Sequence, residues 1–253
     1  MLRRPSLALF AVLASTAALS ACAYNAELGR DQFAVVDDAA LARSGEQAWG
    51  QALRTGKISQ DPRLNARVER VGQRVVTAAG LADRPWDYVV FDNPVPNAFV
   101  LPGGHVGVNS GLVQLVDNDD QLAAVLGHEA AHVVARHAAE RYSQQMSTQL
   151  VLAIAQAAAG GGTSDGGKAV SALGGAGAQV GFLLPFSRKH ELEADRLGVD
   201  FMQRAGYRPR EAVALWRKMQ AQGGSNRAEF TSTHPSDATR IQALETYIAS
   251  RGW

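Results

Sequence analysis

The sequence has 253 residues, enough for one hydrophobic core and not clearly enough for two. Hydrophobic residues make up 46% of it and charged residues 19%, which excludes a disordered chain, and a net charge of +1 offers no electrostatic footprint for nucleic acid. The single cysteine, Cys22, excludes a disulfide framework and any thiolate metal site in the folded body, so a metal would have to be held by His, Asp or Glu.

The chain opens on Met1-Leu2-Arg3-Arg4, then runs apolar from Leu7 to about Leu19 and ends the segment with Ser20-Ala21-Cys22. A basic flank, a short apolar stretch and small residues predict a secretory signal; the run is short for a transmembrane helix. Leu19-Ser20-Ala21-Cys22 resembles the bacterial lipobox. That resemblance implies a lipoprotein signal peptide over residues 1–21 and lipidation of Cys22, whose acyl chains together anchor the protein to a membrane. Ala23 after the cysteine implies the outer membrane, and residues 22–37 read as a lipid-anchored tether.

Leu41, Trp49 and Leu53 punctuate a polar helical stretch from Asp38 to about Arg54. Asp61-Pro62 starts a second helix, with Pro in the first turn, and Leu64, Val68, Val71 and Val75 form its apolar stripe up to Gly80. Residues Trp86 to Phe91 predict a strand. Ala98–Leu101 and His105–Val108, flanking Pro102-Gly103-Gly104, predict a hairpin. Asp119 or Asp120 is expected to cap a helix reaching about Arg141, and helical patterns resume at His190–Ala205, Pro209–Gln222 and Pro235–Ser250. Between them, residues 150–181 read as a Gly- and Ala-rich flexible insertion. Residues 38–253 are thus expected to form one α+β domain, mostly helical, with a small antiparallel sheet beside the helix that begins near Asp119.

That helix contains Gly127-His128-Glu129-Ala130-Ala131-His132. Two histidines four apart lie one turn apart on one helical face, so both imidazoles can reach a single zinc ion. Glu129 projects at the edge of that face and can serve as the base that activates an attacking water. A catalytic zinc takes three protein ligands and an open position. A metzincin-type third histidine is excluded, because Ala135 and Ala138 stand where its Gly and His would be; His137 is displaced by one residue and reads as a surface group. The remaining candidates lie in Glu191-Leu192-Glu193-Ala194-Asp195. Glu191 and Asp195 share a helical face and Glu193 points roughly opposite. Either could bind zinc while the other orients a zinc-bound imidazole through its remaining N–H.

With both segments in hand, the chain resembles the gluzincin peptidases of the HtpX and CAAX-prenyl-protease type, peptidase family M48, and within them the soluble periplasmic branch. Four blocks carry the likeness: Asn97-Ala98-Phe99-Val100-Leu101-Pro102-Gly103-Gly104, the Gly-His-Glu-Ala-Ala-His helix, Glu191–Asp195, and Thr233-His234-Pro235 followed by Arg240. The resemblance implies a zincin-like fold with one zinc per chain. Glu191 becomes the third ligand, Asp195 the orienting carboxylate and Glu193 a non-ligand. It singles out His234, either as a catalytic group stabilising the oxyanion or as a fourth ligand in a resting state. His105 departs from the common pattern and reads as an exposed strand residue; His190, beside Glu191 but off its face, reads as a surface residue or at most as one that supports a ligand. The strand Gly104–Asn109 is expected at the edge of the site, where an extended substrate could add by backbone bonds, with Asn97, Gly104, Val106 and Gly107 in contact with it.

The expected function is zinc-dependent endoproteolysis of unfolded or misassembled cell-envelope proteins, on the periplasmic face of the outer membrane. A chaperone-like lipoprotein that keeps the zinc but cleaves little is the alternative.

Overall fold

The structure, a computed structural model, describes residues 22–158, 186–221, 230, 234 and 238–253. The expected signal peptide and residues 159–181 of the expected insertion lie outside the described residues. So do Thr233 and Pro235 of the fourth block.

The chain begins with an antiparallel hairpin, β1 (Cys22–Asn25) and β2 (Arg30–Phe33). The stretch expected as a lipid-anchored tether is therefore largely a folded element; the Gln32 side chain buried in it is polar and finds its partners far along the chain. Helix α1 (Asp38–Thr55) starts where the Asp37 carboxylate accepts the Ala40 N–H, and α2 (Pro62–Ala78) where Asp61 accepts from Arg63 with Pro62 in the first turn. Val68, Val71 and Val75 of the α2 stripe are fully buried.

Strands β3 (Asp87–Phe91), β4 (Ala98–Leu101) and β5 (His105–Asn109) form one sheet in the order β3-β5-β4. The turn between β4 and β5 places Gly103 and Gly104 at φ 105° and 95°, a region that side chains disfavour. The α+β, mostly helical expectation holds, and the β4–β5 hairpin is antiparallel as read. The sheet as a whole is mixed, because β5 turns back from β4 and slots in beside β3 in the same direction. That insertion corrects the substrate-edge expectation: β5 is the central strand, bonded on both sides, and the Phe99 ring lies over Gly107. The outer strands are β3, which bridges Ile58 through Phe91, and β4, which borders a cleft.

A short α3 (Ser110–Leu115) leads to α4 (Asp119–Val134), capped by Asn118 accepting from Gln121 rather than by either aspartate. Helix α4 ends seven residues short of Arg141. Arg136 adopts φ 52°, and a new helix α5 (His137–Ala158) begins there, continuing into the segment expected as an insertion. Helices α6 (Arg188–Arg204), α7 (Arg210–Ala221) and α8 (Ala238–Ser250) complete the described fold. The core centres on α4, which packs against α2, α6 and α7. Gly127 and Gly198 let α4 and α6 cross almost backbone to backbone: a Cβ on Gly127 would stand 2.9 Å from the Gly198 carbonyl oxygen, and one on Gly198 3.0 Å from the His128 nitrogen. Among the described residues no helix is long and apolar enough to cross a membrane.

Candidate metal centre

The α4–α6 crossing brings the two sequence motifs together. His128, His132, Glu191 and His234 are all buried, and one ligand atom from each lies within 4.8 Å of the others. His128 Nε2 is 3.1 Å from His132 Nε2 and 3.2 Å from His234 Nδ1. Glu191 Oε1 lies 3.0 Å from His234 Nδ1 and 3.5 Å from His132 Nε2, and its Oε2 lies 3.4 Å from His128 Nε2. Three imidazole nitrogens and a carboxylate thus converge on one point. Neutral imidazoles have one donor each, so nitrogens facing one another at these distances cannot all be satisfied as hydrogen-bond pairs. The donor set, three nitrogens and one oxygen in a dry setting, fits a zinc ion.

The charge around it fits as well. Glu129, Glu191 and Asp195 are buried carboxylates, and the buried guanidiniums among them are Arg240 and Arg141. Burial opposes ionisation of Glu191, but the facing imidazoles hold its carboxyl far below the usual range. Against the same burial, Glu191 and Asp195 raise His128 to about 9. Imidazole nitrogens and the ionised Glu191 carboxylate, all aimed at one point, favour a cation there.

Asp195 sits behind His128, with Oδ1 3.0 Å from Nδ1. Arg240 on α8 then ties the arrangement together. Its Nε and Nη2 donate to Asp195 at 2.8 and 2.7 Å, and its Nη1 lies 2.6 Å from Glu191 Oε2. Aromatic rings wall the imidazoles. Phe186 stacks on His132 at 3.9 Å between centroids, Phe230 on His234 at 4.5 Å, and Trp216 meets His128 edge-on.

Glu129 reaches the same space from the other side. The Val100 N–H of β4 donates to Oε2 at 3.2 Å, while Oε1 is buried with no hydrogen-bond partner among the described residues and lies 3.4 Å from His234 Nε2. Burial pushes this carboxyl up, against the neighbouring imidazoles. A cleft of about 960 Å³ opens beside it, lined in part by Asn97, Phe99, Val100, Gly104, Glu129 and His132. Asn97 and Gly104 therefore lie where substrate contacts were expected. Val106 is buried between Val100 and Tyr88 in the sheet, and Gly107 between Phe99 and Val89, so neither borders the cleft. Cys22 is the first residue of β1.

Three histidines depart from expectation. His137 is fully buried, with Nδ1 2.9 Å from His132 Nδ1 and Nε2 3.0 Å from Glu193 Oε2. The helix break at Arg136 turns it inward. His190 is also buried, stacked on His137 and 3.2 Å from Glu140 Oε2; burial, with His137 beside it, lowers it to about 4. His105 stacks on Trp49 and contacts Glu46 and Asp87. Glu193, the expected non-ligand, instead pairs with Arg30 and His137, which outweigh burial and bring it down to about 2.

The comparisons agree with the geometry. A family profile described as peptidase family M48 matches residues 62–248. The mitochondrial metalloendopeptidase OMA1 of Schizosaccharomyces pombe is 40% identical over 183 residues, covering 72% of this chain and 52% of its own. Its Saccharomyces cerevisiae namesake is 34% identical over 79% of this chain and 60% of its own. The beta-barrel assembly-enhancing protease of Escherichia coli K12 is 32% identical over 78% of this chain and 41% of its own. The chain thus spans from 41% to 60% of the length of these relatives.

Proposed function

The chain belongs to peptidase family M48, and from that premise we propose that it is a zinc metalloendopeptidase in which His128, His132 and Glu191 hold the metal and Glu129 is the general base. The observation that carries this is the convergence of their buried donor atoms beside a cleft edged by β4. Zinc, when bound, supplies a Lewis acid that acidifies water and polarises the scissile carbonyl. Glu129 takes a proton on Oε1, the oxygen without a partner, while the Val100 N–H holds Oε2 and so fixes the carboxylate plane. The same oxygen then returns the proton to the leaving amine. Asp195 orients His128, and Arg240 keeps Asp195 and Glu191 in place. Substrate in extended form adds along β4, between Asn97 and Leu101, in place of the central β5.

His234 would hold the fourth position of a resting site. Its Nδ1 points at His128 and Glu191 alongside the other donors, which an oxyanion-binding group reserved for substrate would not do. A closed site is latent. His234→Ala should therefore raise peptidase activity several-fold; near-complete loss with zinc retained would instead assign it to the oxyanion.

The substrates we propose are unfolded or misassembled envelope proteins, with the chain held to the periplasmic face of the outer membrane through lipidated Cys22. The lipobox-like segment and a relative named for beta-barrel assembly support this. Casein hydrolysis by full chain in detergent tests the enzyme. Glu129→Gln should cut the rate by roughly 10²–10⁴-fold with zinc retained, and Glu191→Ala should lose zinc. Equal hydrolysis by wild type and Glu129→Gln would leave a zinc-binding, chaperone-like lipoprotein as the better account.

A further inference from the structure

We infer that the N-terminal hairpin is a working part of the metal centre: Arg30 on β2, acting through Glu193 and His137, sets the orientation of the His132 ring. This rests on the zinc reading above.

The path is continuous. Arg30 forks onto Glu193, Nε to Oε1 at 2.6 Å and Nη2 to Oε2 at 2.8 Å, and onto Glu140 at 3.0 and 2.8 Å. Glu193 Oε2 lies 3.0 Å from His137 Nε2, and His137 Nδ1 lies 2.9 Å from His132 Nδ1. Ionised carboxylates only accept, so the proton of the neutral His137 ring resides on Nε2. Its Nδ1 is then an acceptor, and His132 must donate from Nδ1. That tautomer leaves the lone pair of His132 on Nε2, the nitrogen that faces His128 and Glu191. A metal-binding histidine commonly has its other nitrogen hydrogen-bonded, which fixes both tautomer and ring angle. Asp195 does this for His128 in one step. For His132 the carboxylate is one imidazole further away, and the guanidinium that holds it comes from β2.

The hairpin grips the same helix by a second route. Gln32 Nε2 donates to the Ala135 carbonyl at 2.6 Å and to Glu140 Oε2 at 3.0 Å. Ala135 closes α4, so this amide satisfies one of the last carbonyls of the helix that carries His128, Glu129 and His132. Glu140 in turn contacts His190, which stacks on His137 at 4.4 Å. The elements β2, α4, α5 and α6 thus meet in one polar network behind His132, buried at His137 and His190 and half-buried at Arg30 and Glu193. Arg30 is the guanidinium that its two carboxylates share. A bidentate fork also sets direction, which a point charge would not.

The test is a zinc competition titration against a chromophoric chelator, with full-length chain stripped of metal, for wild type, His137→Phe, Arg30→Met and the double variant. Arg63→Ala, an exposed ion-pair residue on α2, is the control. The absorption bands of the cobalt-loaded proteins report ligand geometry, and melts of the metal-free proteins report folding. His137→Phe should weaken zinc binding by roughly 10–100-fold and shift the cobalt bands. Arg30→Met should weaken it in the same direction by less, and the double variant should lose no more than His137→Phe, since the two residues act in series. Glu193→Gln, nearly isosteric, replaces His137→Phe if that protein does not fold. A wild type that binds zinc beside variants with unchanged affinity and unchanged cobalt bands would overturn the inference, as would independent, additive losses. A wild type that takes up no zinc would overturn the zinc reading itself, and this inference with it.

Discussion

Asp195 makes two demands on its surroundings at once. It receives the Nδ1 side of His128 and accepts two bonds from Arg240, all out of water. Against burial, which would raise it, Arg240 and His128 hold its carboxyl below the usual range. Asp195→Asn keeps the shape and removes the charge, so zinc affinity should fall by about 10–100-fold while the fold persists; a competition titration beside a thermal melt reads both. Arg240→Ala acts differently. It leaves two buried carboxylates without their guanidinium, and breaking such pairs costs about 3–5 kcal/mol, which urea unfolding would show. These residues differ in how far the sequence reveals them. His128 and His132 are legible from spacing alone, because residues four apart share one helical face, and Glu129 from its place at the edge of that face. Asp195 is legible as a partner of Glu191 on one face. Arg240 and Arg30 are not, since nothing in local spacing says that a guanidinium on a separate helix or strand ends in the same buried network.

Helices α4 and α6 carry almost the whole site, and their close crossing determines whether the imidazoles and Glu191 meet. Gly127 and Gly198 face one another at that crossing. Gly198→Val would force side-chain atoms against the His128 backbone. We expect a loss of about 1–3 kcal/mol in urea unfolding, as for other overpacked cores, together with substoichiometric zinc. A variant that kept full zinc occupancy would mean that the ligands tolerate helix separation. At this scale the sequence is legible where periodicity or punctuation is strong: the valine stripe of α2, Asp61-Pro62 at its start, and the double glycine between β4 and β5. It fails where the deciding contact is distant. The break between α4 and α5 carries neither Gly nor Pro; Arg136 is held there with its guanidinium on Asp38. The hairpin at the start is stabilised through Arg30 and Gln32, polar residues whose partners lie more than a hundred positions away. The central place of β5 depends on how the chain crosses between β3 and β4, which alternation of side chains does not encode.

Across the whole molecule, a metal held by this cluster would be a crosslink: the candidate donors come from α4, from α6 and from His234, and the network behind His132 adds the N-terminal hairpin. Without a cation, the apposed imidazole nitrogens and the Glu191 carboxylate must be accommodated by the apoprotein. A ligand that binds the native state alone stabilises it by about 2.7 kcal/mol at a hundredfold excess over Kd. For a chain of this size each kcal/mol moves Tm by roughly 2–4 °C. Removing zinc with a chelator should therefore lower Tm by roughly 5–10 °C, and restoring zinc should recover it. The Glu191→Ala protein should melt at the same temperature with or without chelator, because its loss of zinc has already removed the crosslink. Equal melting of wild type with and without chelator would show that the fold is closed by packing alone. A chelator response that survived in Glu191→Ala would place the stabilising ion somewhere other than between α4 and α6.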